Sequence, residues 1–303
     1  MATASPSVSF SRRAGNLADK QFKYVLIWPA VLVLLLIRIF PIVYTAMVSV
    51  QNIDMFGEDT TFQGLRHYAR LFEDVRLWQA ILHTLILTAV ALPLELLLGL
   101  AMALLFLDRM PGRQVFIALL VLPTVISPIV AGAAWRLLFD NRFGPINQII
   151  GWFAGEPVAL LWLVNPNLVY PAIILCEVWQ WTPFMFLILL AGLSNVDQSL
   201  IEAAEIDGAG WWRTFFRIVL PAIRPVLAIA LLIRALDLIR LFDVVWALTQ
   251  GGPGTMTETI SIYAYVQGFQ QFETSYTAAM TFVIILILNA LVILALRRVE
   301  IAR

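Results

Sequence analysis

Six long apolar runs alternate along the chain with more polar segments. They cover residues 24–50, 80–107, 114–139, 168–193, 225–248 and 276–296. Each run is long enough to cross the ~30 Å hydrocarbon layer of a bilayer as a helix. Helix is also the form that lipid requires, because a lone strand there would leave backbone groups without hydrogen-bond partners. The pattern predicts an all-α integral membrane protein with six transmembrane helices.

The composition agrees with this pattern. Hydrophobic residues make up 61% of the 303 residues and charged residues 13%, and the mean hydropathy is +0.86. Soluble domains are about 45–50% apolar, so a soluble core is disfavoured. The formal net charge is zero, so no global attraction to nucleic acid is expected. Cys176 is the only cysteine, which excludes an intramolecular disulfide and a cysteine metal cluster and indicates a packing role.

The first apolar run follows basic residues and superficially resembles a secretion signal. It is too long for the apolar region of a signal peptide, and no convincing small-residue cleavage site precedes Gln51. The sequence therefore predicts a retained first transmembrane helix.

The distribution of lysine and arginine predicts the orientation, because cytoplasmic loops carry an excess of both. Of the twenty, four fall in the loops opposite the termini and four within the spans. The others lie on the side of the termini: Arg12, Arg13, Lys20, Lys23, Arg109, Arg113, Arg213, Arg217, Arg224, Arg297, Arg298 and Arg303. Both termini are therefore expected in the cytoplasm.

These observations divide the chain into five parts. They are a cytoplasmic tail (1–23), a first transmembrane helix (24–50), a periplasmic loop (51–79), a transmembrane core (80–297) and a cytoplasmic tail (298–303). The core contains a long inward loop, residues 194–224, that is rich in alanine and charge. This loop has strong helix signals.

The first helix of the loop has several candidate starts. Ser199 and Glu202 have capping-box spacing, while Asp197 or Asn195 could also begin the helix. The small Ala203 and Ala204 beside the acidic Glu202 and Glu205 suit docking into a groove on a partner. Small side chains allow close approach, and carboxylates pair with basic groups. The alternative is a loop that only caps the helix bundle.

A second short helix is predicted after a glycine turn. Gly208 and Gly210 allow a sharp change of direction. The helix covers residues 211–219 and stops at Pro221. Its periodicity places three apolar side chains on one face: Trp211, Phe215 and Ile218.

Several fixed positions of this loop carry a resemblance to a known family. They are Glu202-Ala203-Ala204, Asp207-Gly208-Ala209, Ile218 and Leu220-Pro221. The pattern resembles the EAA loop of permease subunits of binding-protein-dependent ABC importers. The resemblance implies a bacterial inner membrane location and the type I importer fold, with the loop as coupling helices in a cleft of the ATPase. It implies that Glu202 contacts the ATPase, that Ala203 and Ala204 fit the cleft, and that Gly208 makes the turn, with Asp207 and Ala209 beside it.

The resemblance extends from residue 24 to the C-terminus. Further matching segments are 135–139, 144–147, Trp179 with 182–184, 234–243 and 248–253. They are similar to the sugar-permease branch, whose members import maltose-type oligosaccharides, trehalose or glycerol phosphates. Two positions depart from the family pattern: Arg38, where the first span is usually apolar, and His83, where asparagine is common.

The resemblance also implies partners. The chain has no G-x-x-x-x-G-K-[ST] phosphate loop, so it is not expected to hydrolyse ATP. ATP and Mg would be bound by two partner ATPase subunits, and no cofactor is expected in this chain. A second homologous permease, giving a heterodimer, and an extracytoplasmic solute-binding protein would complete the importer of a sugar-type substrate.

Ionisable side chains inside the spans are candidates for the substrate pathway. Four of them follow one another at i,i+3 spacing in the fifth span: Arg234, Asp237, Arg240 and Asp243. They either line a polar path for sugar hydroxyls or form a salt-bridge network that fixes packing. The same two alternatives apply to Glu95 and Glu177, each of which could partner an arginine.

The fourth span adds an aromatic and amide surface. Trp179 and Gln180 precede Pro183, which removes a helical donor near mid-membrane. Such a surface would suit a sugar, whose faces are apolar and whose edges form hydrogen bonds. The alternative is ordinary packing, because tryptophan is common in membrane proteins.

Two other functions stay open from the residues. An ion-driven secondary transporter would act without an ATPase and would be expected to contain inverted repeats, which the sequence does not display. A membrane enzyme would need a catalytic constellation. His67 and His83 are the only histidines and form no HExxH motif, which disfavours a zinc protease.

Overall fold

The computed structural model describes residues 8–53, 61–108 and 110–301. Arg109 and Arg303, two of the residues that set the predicted orientation, lie outside this part of the chain. The same holds for the side chains of Arg12, Arg13, Lys20, Lys23 and Arg298.

The described chain is almost wholly helical. Its helices are α1 Val8–Ser49, α2 Arg66–Glu73, α3 Val75–Leu105, α4 Arg113–Val125, α5 Pro128–Leu138, α6 Pro145–Ala154, α7 Pro166–Ser194, α8 Gln198–Ile206, α9 Trp211–Thr214, α10 Leu220–Ala222, α11 Arg224–Ile239, α12 Asp243–Leu248, α13 Ile260–Tyr265 and α14 Thr274–Ile301. Two π-helical turns, Phe215–Val219 and Val266–Gln270, follow α9 and α13. The all-α expectation misses one small feature, an antiparallel pair of two-residue strands, β1 Gln51–Asn52 and β2 Thr61–Phe62.

Helices α1, α3, α7 and α14 contain the apolar stretches that are long enough to cross a membrane. They match four of the six predicted runs. Two further pairs of helices pass the same test when each pair is counted together, which gives up to six spans among the described residues.

The third predicted run is not one helix. Helices α4 and α5 meet at an angle of 95°, and Ile126 between them has an extended backbone. Pro128 opens α5, and a proline disfavours the helical conformation of the residue before it. The chain therefore turns at Ser127 instead of continuing through the run.

The fifth predicted run is also interrupted. Helix α11 ends at Ile239, and α12 begins only at Asp243. The Arg240 side chain donates from Nε to the Leu236 carbonyl at 3.2 Å, so it satisfies an acceptor at the end of α11. A second bend lies before α11, where the helical segment Trp211–Ala222 meets α11 at 66°. This segment and α11 together form one of the two bent pairs that are long and apolar enough for a span.

Helix α7 lies at the centre of the bundle and α1 at its edge. The apolar window of α7 is 61% buried, whereas that of α1 is 6% buried. Cys176 of α7 is fully buried in the core, as predicted. Helix α1 lies against α14, and Arg38 in its apolar stretch is exposed.

Helices α3 and α7 approach each other closely at a glycine. A Cβ atom at Gly99 would lie 2.7 Å from Met185 Cβ and 2.9 Å from the Phe186 amide nitrogen. No side chain fits at these distances, so glycine is required where the two backbones meet.

Asp74 ties three elements together where α3 begins. Its carboxylate caps the helix by accepting from the amides of Arg76 and Leu77 at 3.0 and 3.1 Å. It also accepts hydrogen bonds from the hydroxyls of Tyr263 in α13 and Tyr276 in α14. Burial alone would raise the pKa of Asp74, but these four hydrogen bonds outweigh it and hold the pKa below its ordinary value of 3.8.

Candidate functional site

A buried ionic cluster joins three helices of the bundle. Arg234 of α11 donates from Nε and Nη2 to the two carboxylate oxygens of Glu95 in α3, both at 2.7 Å. Its Nη2 also donates to Oε1 of Glu177 in α7 at 2.9 Å. The prediction that Glu95 and Glu177 could each partner an arginine is confirmed, and a single arginine serves both.

Further charged and aromatic side chains extend this cluster. The guanidinium carbon of Arg234 lies 4.7 Å from the centre of the Trp181 ring, which gives a cation–π contact. Oδ2 of Asp237 lies 3.9 Å from Nη1 of Arg234, and Oδ1 of Asp237 lies 3.1 Å from Nη2 of Arg240. The four charges predicted along the fifth span therefore do not pair only along the helix, because the strongest contacts of Arg234 are with two other helices.

A cavity of about 310 Å³ opens onto the cluster. Its lining combines both signs of charge with aromatic and aliphatic side chains: Pro128, Glu177, Trp181, Arg234, Asp237, Arg240, Leu241, Phe242, Asp243 and Val244. Oε2 of Glu177 is buried and has no hydrogen-bond partner among the described residues. A buried acceptor left in this state costs free energy, so a molecule in the cavity that donates a hydrogen bond to it would be favoured.

The cavity lies where two membrane helices stop short. With a rise of 1.5 Å per residue, the 13 residues of α4 extend about 20 Å and the 16 of α11 about 24 Å. Both lengths are less than the ~30 Å hydrocarbon layer. Interrupted helices leave backbone groups unpaired inside the membrane, and such groups are tolerated where protein or a cavity surrounds them.

One of these freed groups is satisfied by a side chain. The Ile126 carbonyl, between α4 and α5, accepts a hydrogen bond of 2.9 Å from Nε2 of Gln180 in α7. Pro128 follows at the edge of the cavity. Gln180 therefore holds the break of the third span in place.

The structure brings together four of the six residues predicted for the substrate pathway. Arg234, Asp237, Arg240 and Asp243 line the cavity. Trp179 and Gln180 lie outside its lining; Trp179 packs edge to face against Trp135, with ring centres 5.6 Å apart.

Two cavity residues of α7 are not among the six predicted for the substrate pathway. Glu177 and Trp181 both line the cavity. They are four residues apart and therefore share a helix face. This spacing was visible in the sequence and could have identified the pair, whereas Trp179 points elsewhere.

The loop after α7 forms the two predicted helices around a glycine turn. Asp197 caps α8, because its side chain accepts from the Ser199 amide at 3.0 Å. The hydrogen bonds from Ser199 hold the pKa of Asp197 below its ordinary value. Of the starts that the sequence left open, Asp197 is the one used.

Helix α8 ends in a Schellman motif. The Ala209 amide donates to the Ala204 carbonyl at 2.9 Å, and the Gly208 amide donates to the Glu205 carbonyl at 3.0 Å. Gly208 has a φ of +74°, a conformation that glycine adopts without steric cost. Gly210, which caps the next helix, has a φ of −71°.

The side chains of α8 are mostly uncovered. Glu202, Ala203, Glu205 and Asp207 are exposed, as is Gly208, whereas Ala204 is buried and Ala209 half-buried. Ala203 is therefore exposed on the same short helix as the carboxylates of Glu202 and Glu205.

The second loop helix differs from its prediction at its end. The helical segment continues past Pro221 to Ala222. Leu220 donates to the carbonyl of Phe215, five residues earlier, in the π-helical turn. The bend follows at Ile223 instead. Trp211 stacks on the Phe215 ring, as expected for two residues on the predicted common face. Phe215 is buried, Ile218 is half-buried and Trp211 is exposed.

Interrupted helices around a polar cavity within the bilayer are typical of membrane transport proteins. Residues 74–301 match the family described as "Binding-protein-dependent transport system inner membrane component". The chain belongs to this family.

Named relatives agree with this assignment. The chain is 36% identical over 247 residues to the trehalose/maltose transport system permease protein MalF of Thermococcus litoralis, covering 82% of this chain and 83% of that one. It is 32% identical over 276 residues to the trehalose transport system permease protein SugA of Mycobacterium tuberculosis, covering 91% and 87%. It is 31% identical over 280 residues to the sn-glycerol-3-phosphate transport system permease protein UgpA of Yersinia pestis, covering 91% and 93%.

These names confirm the resemblance to sugar-permease subunits and a role as a transport component rather than an enzyme. Solved structures agree on the fold. A chain of a bacterial ABC transporter involved in the import of alginate superposes with a TM-score of 0.81 at 22% identity, covering 95% of this chain and 98% of that chain. A second alginate transporter structure, in complex with a pentasaccharide-bound periplasmic protein, gives a TM-score of 0.76 at 26% identity, covering 95% and 94%.

Proposed function

We propose that this chain is one membrane-spanning subunit of an ATP-driven importer for a sugar or sugar derivative. The observation that carries the proposal is the charged cavity at the breaks of two spans. Alternating access would expose this cavity first to the outer and then to the inner side. The names of the relatives, which refer to trehalose, maltose, glycerol phosphate and alginate, support a carbohydrate-type substrate.

The lining of the cavity suits a polyhydroxylated molecule. The ring of Trp181 offers an apolar face, the carboxylates of Glu177 and Asp237 accept hydrogen bonds, and Arg240 donates them. A sugar presents apolar faces and hydrogen-bonding edges, so both kinds of group are used. The cavity is the proposed substrate pathway.

Energy would come from outside this chain, through the loop. Helix α8 and the turn at Gly208 would dock into an ATPase subunit, with Glu202 pairing with a basic group and Ala203 allowing close approach. Asp207, Gly208 and Ala209 would set the angle of the turn. Two ATPase subunits, carrying ATP and Mg, a second homologous permease and an extracytoplasmic solute-binding protein would complete the assembly. Both termini would lie in the cytoplasm with the loop.

The first experiment is native mass spectrometry of the tagged chain, extracted from its host in mild detergent. A complex with one related permease and two ATPases is expected. Recovery of this chain alone, active in liposomes without ATP, would contradict the proposal in favour of an ion-driven carrier.

A charge reversal tests the coupling surface. In Glu202→Lys, ATP-driven uptake is expected to fall to background while the thermal stability of the chain is unchanged, because Glu202 is exposed. Glu156→Lys, an exposed reversal in another loop, is the control and should transport normally. Normal uptake by Glu202→Lys would show that the loop does not couple through this residue.

A further inference from the structure

An aromatic surface lies uncovered on the second loop helix. Trp211, Trp212 and Phe216 are 57%, 68% and 54% exposed. The rings are ordered in pairs, since Trp211 stacks on Phe215 with centres 5.3 Å apart and Trp212 on Phe216 with centres 5.9 Å apart. An adjacent face of the helix is covered, because Thr214 and Phe215 are buried, and Trp211 lies at its edge. The helix therefore presents an organised apolar surface away from the bundle.

The direction of this helix limits how far the aromatic surface extends along the axis of α11. The segment Trp211–Ala222 meets α11 at 66°. Its 12 residues extend about 18 Å, of which about 7 Å is along the α11 axis. The bend follows Ala222, and Ile223 is buried against the end of α7. The backbone of the segment thus extends only about 7 Å beyond the start of α11, measured along that helix.

A segment of this extent fits within the headgroup layer of a bilayer. The hydrocarbon core is ~30 Å thick and the whole bilayer ~40–45 Å, which leaves roughly 5–7.5 Å of headgroup on each side. Tryptophan is enriched in this layer, where its ring is apolar and its N–H reaches water. The small extent of the segment along α11 and its tryptophans both suit this layer.

The charge of the segment is uniformly positive. Arg213 and Arg217 are exposed and four residues apart, and Arg224 is exposed where α11 begins. The sequence contains no acidic residue between Asp207 and Asp237. Basic residues beside exposed aromatic rings are the pattern of helices that lie in the membrane interface.

We propose that the surface formed by Trp211, Trp212, Arg213, Phe216 and Arg217 binds the phospholipid headgroup layer on the loop's side, with a preference for acidic headgroups. The aromatic rings enter the boundary between headgroups and acyl chains, and the two guanidinium groups pair with phosphates. Lipid thereby fixes the angle of this helix, and with it the position from which α8 extends. The other candidate occupant, a partner protein, is an outcome of the test.

Depth-dependent quenching distinguishes the occupants. The full complex, carrying Cys176→Ala and Trp212→Cys labelled with bimane, is placed in nanodiscs that contain a nitroxide lipid. We expect a shallow nitroxide to quench the label at least twofold more strongly than a nitroxide at the end of the acyl chain. Aqueous iodide should quench it little. Quenching by iodide alone, or by neither agent, would overturn the proposal, because the label would then face water or protein. Phe216→Cys is the second labelling site if Trp212→Cys does not fold.

A label on α8 separates this inference from the proposed function. Ile206, 87% exposed on that helix, should be shielded from iodide and lipid when the ATPase is docked. If the label at 206 is shielded but nitroxide lipid does not quench the label at 212, the lipid contact is refuted while the proposed ATPase docking stands.

The charge preference is tested with Arg213→Gln/Arg217→Gln. Each basic side chain near an acidic membrane surface strengthens binding about fivefold. Shallow quenching at 212 should therefore increase when acidic lipid is added to phosphatidylcholine discs, and this increase should vanish in the double variant. Arg142→Gln, an exposed arginine in another loop, should keep it. An unchanged response of the double variant would refute the role of the arginines.

Discussion

Arg234 is the counter-ion of two buried carboxylates, so its removal should be among the most damaging substitutions in the chain. In Arg234→Met, Glu95 and Glu177 lose the donors that lie 2.7 and 2.9 Å away. Removing one partner of a buried ion pair costs about 3–5 kcal/mol, and here two acids are left without a partner. The upper end of that range is therefore expected.

Thermal unfolding followed by tryptophan fluorescence in detergent measures this loss. At roughly 2 °C per kcal/mol for a chain of this size, the Tm should fall by on the order of 10 °C. The variant Arg234→Met/Glu95→Gln/Glu177→Gln should recover most of the loss, because neutral amides are less costly to bury than unpaired charges.

Arg240 provides the matched control. Its side chain is 66% exposed and pairs with Asp237 at 3.1 Å, and exposed pairs contribute at most about 1 kcal/mol. Arg240→Met should shift the Tm by no more than about 2 °C. A Tm of Arg234→Met within 2 °C of the wild type would refute the account of the cluster.

Three further substitutions test other parts of the structure. The folded-state pKa of Asp74 lies below its ordinary value of 3.8. Its contribution to stability is therefore present above pH 3.8 and is lost as the pH falls through the folded-state pKa. The Tm of Asp74→Asn, measured against pH, should be lower than that of the wild type at neutral pH and should change less in acid. Gly99→Ala should lower the Tm although alanine favours helix, since its Cβ would lie 2.7 Å from Met185 Cβ. Gly210→Ala should not, because no atom of the described residues lies within 4 Å of the added Cβ. Gly208→Ala should reduce ATP-driven uptake because of its positive φ of +74°, and equal uptake by Gly208→Ala and Gly210→Ala would contradict a role for the turn.

The sequence predicts the long spans well because length and hydropathy alone determine them. Helices α3, α7 and α14 match their predicted runs with small differences at the ends. The break at Pro128 was missed, because the apolar run continues through it and hydropathy does not register a change of direction. The proline itself was the available signal.

The candidate site could be predicted only in part, because its residues come from separate helices. Arg234 and Glu95 are 139 residues apart, and no periodicity links positions on separate helices. The cost of an unpaired charge in lipid predicts that each acid needs a partner, but the fold decides which partner it has. The loop was predicted more fully because its signals are local: the cap at Asp197 and the turn at Gly208 depend on neighbouring residues.

The hydrogen bond between Gln180 and the Ile126 carbonyl has a consequence for how the protein is made. During synthesis α4 and α5 leave the ribosome first, and the amide that satisfies their break follows 54 residues later. With lengths of about 20 and 16 Å, neither helix crosses the bilayer alone. Stable insertion of this region into the membrane must therefore wait until α7 has been synthesised beside it.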